Sequence, residues 1–268
     1  MRLKDLGWVW EGQGLDPGVP PSIFGVGEGA KFFGLSRAVY IFHPNTELAM
    51  KKLSFLDEVI CDISKWVFAE IEAKEHPYFP YSFGMMPAVD GSPDNILREA
   101  ENVGRLSLKY PNITGAFHDD MHALVKRFGC APADYARIYK AVRGANPKLR
   151  LWSCVYSHEL NPELWQDYIP FMDVVNLWVW KSEDLPRLDE YLDKCRRIFP
   201  GKPVNIGVYL RDYSIAEPVP TALLKLQMEK IEKYIRDGLV QGFSILAAVL
   251  IDGQLEQAEF IRDFIKER

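Results

Sequence analysis

The chain has 268 residues, 48% of them hydrophobic, enough to bury one large core or two small ones. Its 32 basic and 37 acidic side chains leave a net charge of −5, and no run of Lys or Arg is long enough to follow a phosphate backbone, which argues against nucleic acid as a partner. No apolar stretch approaches the roughly 18–20 residues of a membrane span, and the opening MRLKDLGWVW carries neither an apolar h-region nor a small-residue cleavage site, so no membrane partner and no signal peptide are expected.

In chain order, short β-branched or aromatic runs alternate with helical patterns. GWVWEG (7–12) reads as a strand. A long connection over about 13–36 follows, and its IFGVGEGAKFFG either cradles an anion on backbone amides or makes a tight entry into a helix. The glycines there follow a Pro-rich loop rather than a strand, so they do not form a dinucleotide fingerprint, and no cofactor is expected. AVYIFH (38–43) is the second strand, a helix covers 46–56, and EVICDIS (58–64) is the third strand. The connection over about 65–91, containing KWVFAEIEAKEHPYFPYSFGMMP, is long enough to act on a ligand or to carry short elements of its own.

Ser92-Pro93-Asp94 punctuates a helix over 94–109, ITGAFH (113–118) is the fourth strand, and Ala131-Pro132-Ala133-Asp134 opens a helix over 133–144. LRLWSCVY (149–156) is the fifth strand, and a short helix follows Asn161-Pro162 over 162–168. VVNLWVW (174–180), a helix over 184–198, VNIGVYL (204–210), a helix over 220–237, GFSILAAV (242–249) and a helix over 254–267 complete the chain. Cys61, Cys130, Cys154 and Cys195 lack C-x-x-C spacing, so buried thiols in a reducing cytoplasm are expected rather than a zinc site or a disulfide framework.

Eight near-continuously hydrophobic strands alternating with helices predict a (β/α)₈ TIM barrel, a single α/β domain over 1–268 with long loops after strands one and three. An open doubly wound sheet is the alternative. A closed barrel requires the first and last strands to be neighbours. Alternation then assigns faces. In strand seven Val204, Ile206, Val208 and Leu210 face the helices, and Asn205, Gly207, Tyr209 and Arg211 face the axis. In strand six Asn176, Trp178 and Trp180 face inward, and in strand one Trp8 and Trp10, with Glu11 at the rim. In strand three Asp62 and Ser64 point inward. In strand four Thr114, Ala116, His118 and Asp120 are expected inward, and a bulge would exchange Asp120 for Asp119.

Polar and aromatic residues thereby gather at the C-terminal ends of the strands, where barrel enzymes carry their chemistry. The most distinctive stretch is His118-Asp119-Asp120, with His122 one turn on. Asp119 is either a helix cap or a site carboxylate. Sharing the mouth are Glu11, His43, Asp62, Tyr156, His158 and Glu159, and also Trp180, Lys181, Tyr209, Arg211, Asp212 and Asp252. Arg211 could hold Asp120 ionised or grip an anionic group. The rim Trp offers a flat apolar face with a polar N–H, which suits a sugar ring.

An eight-unit barrel with acids at the ends of strands four, five and seven and Trp at the mouth resembles the glycoside hydrolase barrels. GAFHDDM (115–121) is similar to the strand-four ends of glycosidase-like families that read G-x-x-x-D-D. It departs from the Asn-Glu at strand four and the Glu at strand seven of the commonest retaining barrels, so no subfamily is assigned. The resemblance implies hydrolysis of a small glycoside or oligosaccharide by two carboxyls, one protonated and one ionised. Asp120 takes one role, or Asp119 if the register slips, and Glu159, Asp62 and Glu11 compete for the other. Glu11, His43, His118, Tyr156, His158, Trp178, Trp180, Lys181, Tyr209 and Arg211 would bind the substrate. Two alternatives stay open. One is a metal-dependent sugar isomerase, epimerase or lyase using His118, Asp120, His158 and Glu159. The other is a carbohydrate-binding barrel without catalysis.

Overall fold

The computed structural model describes residues 2–12, 19, 21–64, 66–72 and 83–268. Eight parallel strands form a closed barrel: β1 Gly7–Trp10, β2 Arg37–Tyr40, β3 Glu58–Asp62, β4 Ile113–His118, β5 Arg150–Tyr156, β6 Val174–Trp178, β7 Val204–Tyr209 and β8 Gly242–Leu246. Each lies beside its sequence neighbours, and β1 joins β8 with Gly7 opposite Phe243, so first meets last as closure requires.

Around it lie α1 Val26–Phe33, α2 Glu47–Lys52, α3 Pro93–Lys109, α4 Met121–Phe128 and α5 Pro132–Ala145. They are followed by α6 Pro162–Trp165, α7 Leu188–Ile198, α8 Thr221–Arg236 and α9 Leu255–Lys266. Pro93 and Pro132 sit in the first turns of α3 and α5, where a missing N–H costs nothing. The cysteines are free and buried.

Several elements differ from the sequence reading. Helix α1 fills most of the second half of the first long connection. Its two internal glycines disguise it, but Gly29 is required because a Cβ there would lie 2.5 Å from that of Ala248. Helix α4 begins directly at Met121, with no Ser, Thr or Pro signal before it. The second connection carries short elements of its own, one of the two readings offered for it: an antiparallel hairpin, Trp66–Glu72 with Phe83–Val89. Residues 13–18 and 73–82 of these connections lie outside the described residues. β8 stops at Leu246 and passes into a 3₁₀ turn, Ala248–Leu250.

The barrel interior is layered. Toward the strand N-termini Trp8 meets Trp152 edge-on at 5.2 Å. In the middle the Asn205 side chain donates to Ser244 Oγ at 2.6 Å, and Asn176 donates to the same oxygen at 3.4 Å. Toward the C-terminal ends Trp10 packs edge-on against Phe117 at 4.6 Å and Trp178 at 5.1 Å. Gly207 lets Trp178 lie across β7, because a Cβ there would stand 2.0 Å from the indole. Gly207→Ala should therefore lower stability by about 1–3 kcal/mol, measured by urea unfolding, since overpacking a filled core forces its neighbours off their rotamers. Unchanged stability would mean that the indole is free to move.

Alternation holds in β1, β3, β6 and β7 and fails in β4. Val59 pairs with Ile113, but the next residue, Ile60, pairs with Gly115, so β4 carries one extra residue. The bulge inverts the faces. Phe117, expected against helices, points to the axis and touches Trp10. His118, expected inward, faces α5 and stacks on Tyr135 at 5.5 Å and 20°. Ala116 shares its side, as alternation within β4 requires.

Candidate functional site

The strands deliver their last side chains to a cleft of about 700 Å³ at the C-terminal mouth. Asp119 and Asp120 come from the end of β4, Cys154 and Tyr156 from β5, and Trp178 and Trp180 from β6 and the turn after it. Tyr209 and Tyr213 complete one aromatic wall, while Trp10, Phe42 and Leu246 close the barrel side. Trp180 meets Tyr156 edge-on at 5.5 Å and lies nearly parallel to Tyr213 at 6.0 Å.

Both adjacent aspartates reach this cleft because the chain bends sharply between them. Asp120 is the residue before α4 and has φ 41°, a left-handed conformation uncommon outside glycine. Its carbonyl accepts the first helical bond from Leu124, while its side chain makes no cap. Instead its Oδ1 accepts a hydrogen bond from Tyr156 Oη at 2.6 Å. The cap position is thus Asp120 rather than Asp119. The Asp119 backbone N–H donates to Ser64 Oγ at 2.6 Å, and the Ser64 N–H donates to Asp62 Oδ1 at 2.8 Å. Asp62 therefore positions the β4 terminus through Ser64, and it is absent from the described cleft lining.

Burial raises the Asp120 carboxyl above the usual carboxylate range, and the Tyr156 hydrogen bond only partly opposes it. Burial, with Asp119 and Asp120 nearby, pushes the Cys154 thiol far up, so it stays protonated. Tyr156 is likewise raised by burial and remains a donor. A carboxylate oxygen from each aspartate and the Cys154 sulfur lie within 4.8 Å of one another, the one group among the described residues with metal-ligand closeness.

The other expected site residues are dispersed. His118 lies on the far side of β4, fully buried, which cuts it off from Asp120, His158 and Glu159 as a ligand set. Arg211 is not the inward continuation of β7: it enters a two-residue hairpin opposite Pro218. Neither His118 nor Arg211 contacts Asp120, whose partner is Tyr156. Asp212 accepts from the Ser182 and Ser214 N–H groups. Burial acts to raise its carboxyl, but those hydrogen bonds outweigh it and hold the group low.

Glu11 pairs with His43 Nδ1 at 3.0 Å and accepts from the Ile41 N–H, bridging the ends of β1 and β2. Burial raises the Glu11 carboxyl against the opposing effect of His43, and the Glu11 hydrogen bond raises His43 against its own burial. Glu159 accepts from the Tyr156 N–H at 3.2 Å and faces His122 Nδ1 at 3.3 Å, a clamp that orients Tyr156. Asp252 accepts from Ile23 N–H and Ser22 Oγ. Tyr156, Trp178, Trp180 and Tyr209 line the aromatic cleft, whereas His158, Glu159 and Lys181 line an adjoining one. Cys154, Phe42 and Tyr213 were missed by sequence reasoning. Alternation from Trp152 would have found Cys154, while Phe42 and Tyr213 lie in turns that no periodicity describes.

No protein-family model matches the sequence, and no curated protein does. Solved structures match it in fold. β-Glucuronidase from Bacteroides uniformis superposes with a TM-score of 0.57 at 12% identity, covering 92% of this chain and 30% of that one. The PgaB (BpsB) glycoside hydrolase domain from Bordetella bronchiseptica gives 0.53 at 12% identity, covering 89% and 91%. The fold is that of the glycoside hydrolase barrels. It is shared by the xylanase-A-amylase inhibitor protein XAIP-III, with a TM-score of 0.57 at 13% identity over 97% and 98% of the chains. The chain spans less than a third of the length of the glucuronidase. Among the described residues no helix is long and apolar enough to cross a membrane.

Proposed function

We propose that the protein is a glycoside hydrolase acting on a small glycoside or oligosaccharide, with Asp120 as general acid and Asp119 as its ionised partner. The observation that carries this reading is the pair itself: two carboxyls within 4.8 Å in an aromatic cleft, one of them raised by burial. Tyr156 donates to Oδ1 of Asp120, which leaves Oδ2 to hold the proton. That proton passes to the glycosidic oxygen as the bond from C1 breaks, and the leaving group departs as an alcohol. The Asp119 carboxylate meets the positive charge at C1 and bonds to it. Water, deprotonated by Asp120, then releases the sugar.

The nearest oxygens of the two carboxyls lie within 4.8 Å, closer than the roughly 6.5–9.5 Å that makes room for an inverting water, which favours retention. The first product seen by proton NMR, before mutarotation, should keep the anomeric configuration of the substrate. An inverted product would remove Asp119 as nucleophile.

The test of the reading is release of 4-nitrophenol or reducing ends from a panel of aryl glycosides and oligosaccharides. A non-catalytic carbohydrate-binding barrel is the second reading, favoured by the inhibitor that shares the fold and by the position of both acids on one strand end. It predicts binding of these sugars without turnover.

Trp180 separates a platform from packing. It is partly exposed and lines the cleft, whereas Trp178 is 1% exposed. Trp180→Ala should weaken binding of a hydrolysed sugar by about 1–3 kcal/mol in titration calorimetry with the fold intact. Trp178→Ala should instead cost about 3–5 kcal/mol of stability. A Trp180→Ala protein that binds normally but unfolds readily would reassign Trp180 to the core.

A further inference from the structure

Two clefts open at the mouth and meet at one carboxyl. The aromatic cleft ends against the barrel at Trp10, Trp178 and Leu246. The second, of about 990 Å³, runs along α4 and the turns after β5 and β6, with Ala123, His158, Glu159, Lys181 and Asp184 on its walls. Among the described residues only Asp120, Tyr156 and Trp180 line both. Trp180 stands at 89° to Tyr156, and His158 lies flat on the other ring of that pair, Tyr156, at 5.4 Å and 9°. Trp180 and Tyr156 thus form a partition with Asp120 at its foot.

A general acid that cleaves a glycoside stands between the glycosyl group and the leaving alcohol. Resting on the hydrolase reading, we infer that the two clefts are the two sides of the scissile bond. The aromatic cleft takes the glycosyl unit and the second takes the leaving sugar, with Asp120 beneath the glycosidic oxygen. The wall chemistry agrees. Aromatic rings suit the apolar face of a single buried sugar, while the acids, imidazole and ammonium of the second cleft suit the hydroxyls of a wetter leaving group. The aromatic cleft is closed at the barrel, so a long chain does not pass through it. The enzyme therefore removes sugars from non-reducing ends.

Ala123 is exposed on α4 and faces the second cleft, so Ala123→Trp fills that cleft without touching the core. The probes are the glycosyl fluoride and the homotrisaccharide of glucose, galactose, mannose, xylose or N-acetylglucosamine, whichever the wild type hydrolyses. Fluoride needs almost no room on the leaving side, and its turnover shows that the variant is folded. In Ala123→Trp the kcat/KM for the trisaccharide should fall at least tenfold relative to that for the fluoride, with Ala123→Leu intermediate. With the trisaccharide labelled at its reducing end, wild-type digests should leave the label on the disaccharide among the first products, and a labelled monosaccharide formed first overturns the assignment. An equal change for both probes, or a larger one for the fluoride, overturns the assignment of sides and leaves the hydrolase reading intact. Absence of wild-type turnover with every probe overturns that reading and the assignment with it.

Discussion

Asp120→Asn should lower kcat/KM for a hydrolysed glycoside by at least about 10²-fold while the protein unfolds at nearly the same denaturant concentration. The substitution keeps the shape and the acceptor for Tyr156 Oη and removes only the titrating group. Because burial raises this carboxyl, the acid form persists to higher pH than for an ordinary aspartate. Activity that depends on the acid form should fall as pH rises through that raised pKa, and Asp120→Asn should abolish this alkaline limb. Asp119→Asn was expected from the sequence to do less if Asp119 were only a cap, at around 1 kcal/mol of stability. The cap position belongs to Asp120, and Asp119 faces the cleft. Its amide should therefore also cost activity, without the loss of the alkaline limb. Full activity in Asp120→Asn removes it from the mechanism.

The protein should lose stability steeply on acidification because of one histidine remote from the cleft. His118 is fully buried between β4 and α5. Its Nδ1 meets Tyr135 Oη at 3.3 Å, and its Nε2 has no hydrogen-bond partner among the described residues. Burial pushes its pKa from 6.5 down to about 3. The native state therefore stays neutral in a range where the unfolded chain binds a proton. The stability associated with the neutral ring is complete above pH 6.5 and is lost as pH falls from 6.5 toward about 3. The slope is at most about 1.4 kcal/mol per pH unit, and the total is on the order of 4–5 kcal/mol. His118→Phe keeps an aromatic ring against Tyr135, whose hydroxyl retains Ser153 Oγ at 3.3 Å. Urea unfolding of His118→Phe between pH 7 and pH 4.5 should show a much flatter decline than the wild type. Parallel declines would show that another group governs acid unfolding.

The barrel was legible because its strands are near-continuous apolar runs whose spacing leaves room for one helix each. β7 shows this best. Val204, Ile206 and Val208 can only face helices, which places Asn205, Gly207 and Tyr209 on the axis. The site was legible to the extent that alternation held. Periodicity alone placed Trp180 and Tyr209 at the mouth and Trp178 on the inward face of its strand, and all three line the cleft. His118 failed because one inserted residue in β4 inverts the side chains that follow it within the strand, and nothing in ITGAFH marks the bulge except Gly115. Arg211 failed because the chain leaves the barrel at the end of β7 for a hairpin that two residues on each side cannot announce. Helix α1 realises the helix-entry reading of IFGVGEGAKFFG, and the glycines that let it pack against Ala248 are what kept its bounds from being assigned.

Asp120 as the proton donor to the leaving group is open to one direct measurement. It is the dependence of kcat/KM on leaving-group acidity in Asp120→Asn, using aryl glycosides of the sugar the wild type hydrolyses. Without its acid the variant should hydrolyse a 2,4-dinitrophenyl glycoside almost normally and lose activity progressively as the phenol becomes less acidic, where the wild type shows a shallow slope. An Asp120→Asn protein whose loss is the same for every leaving group, or that matches the wild type throughout, would contradict the assignment of Asp120.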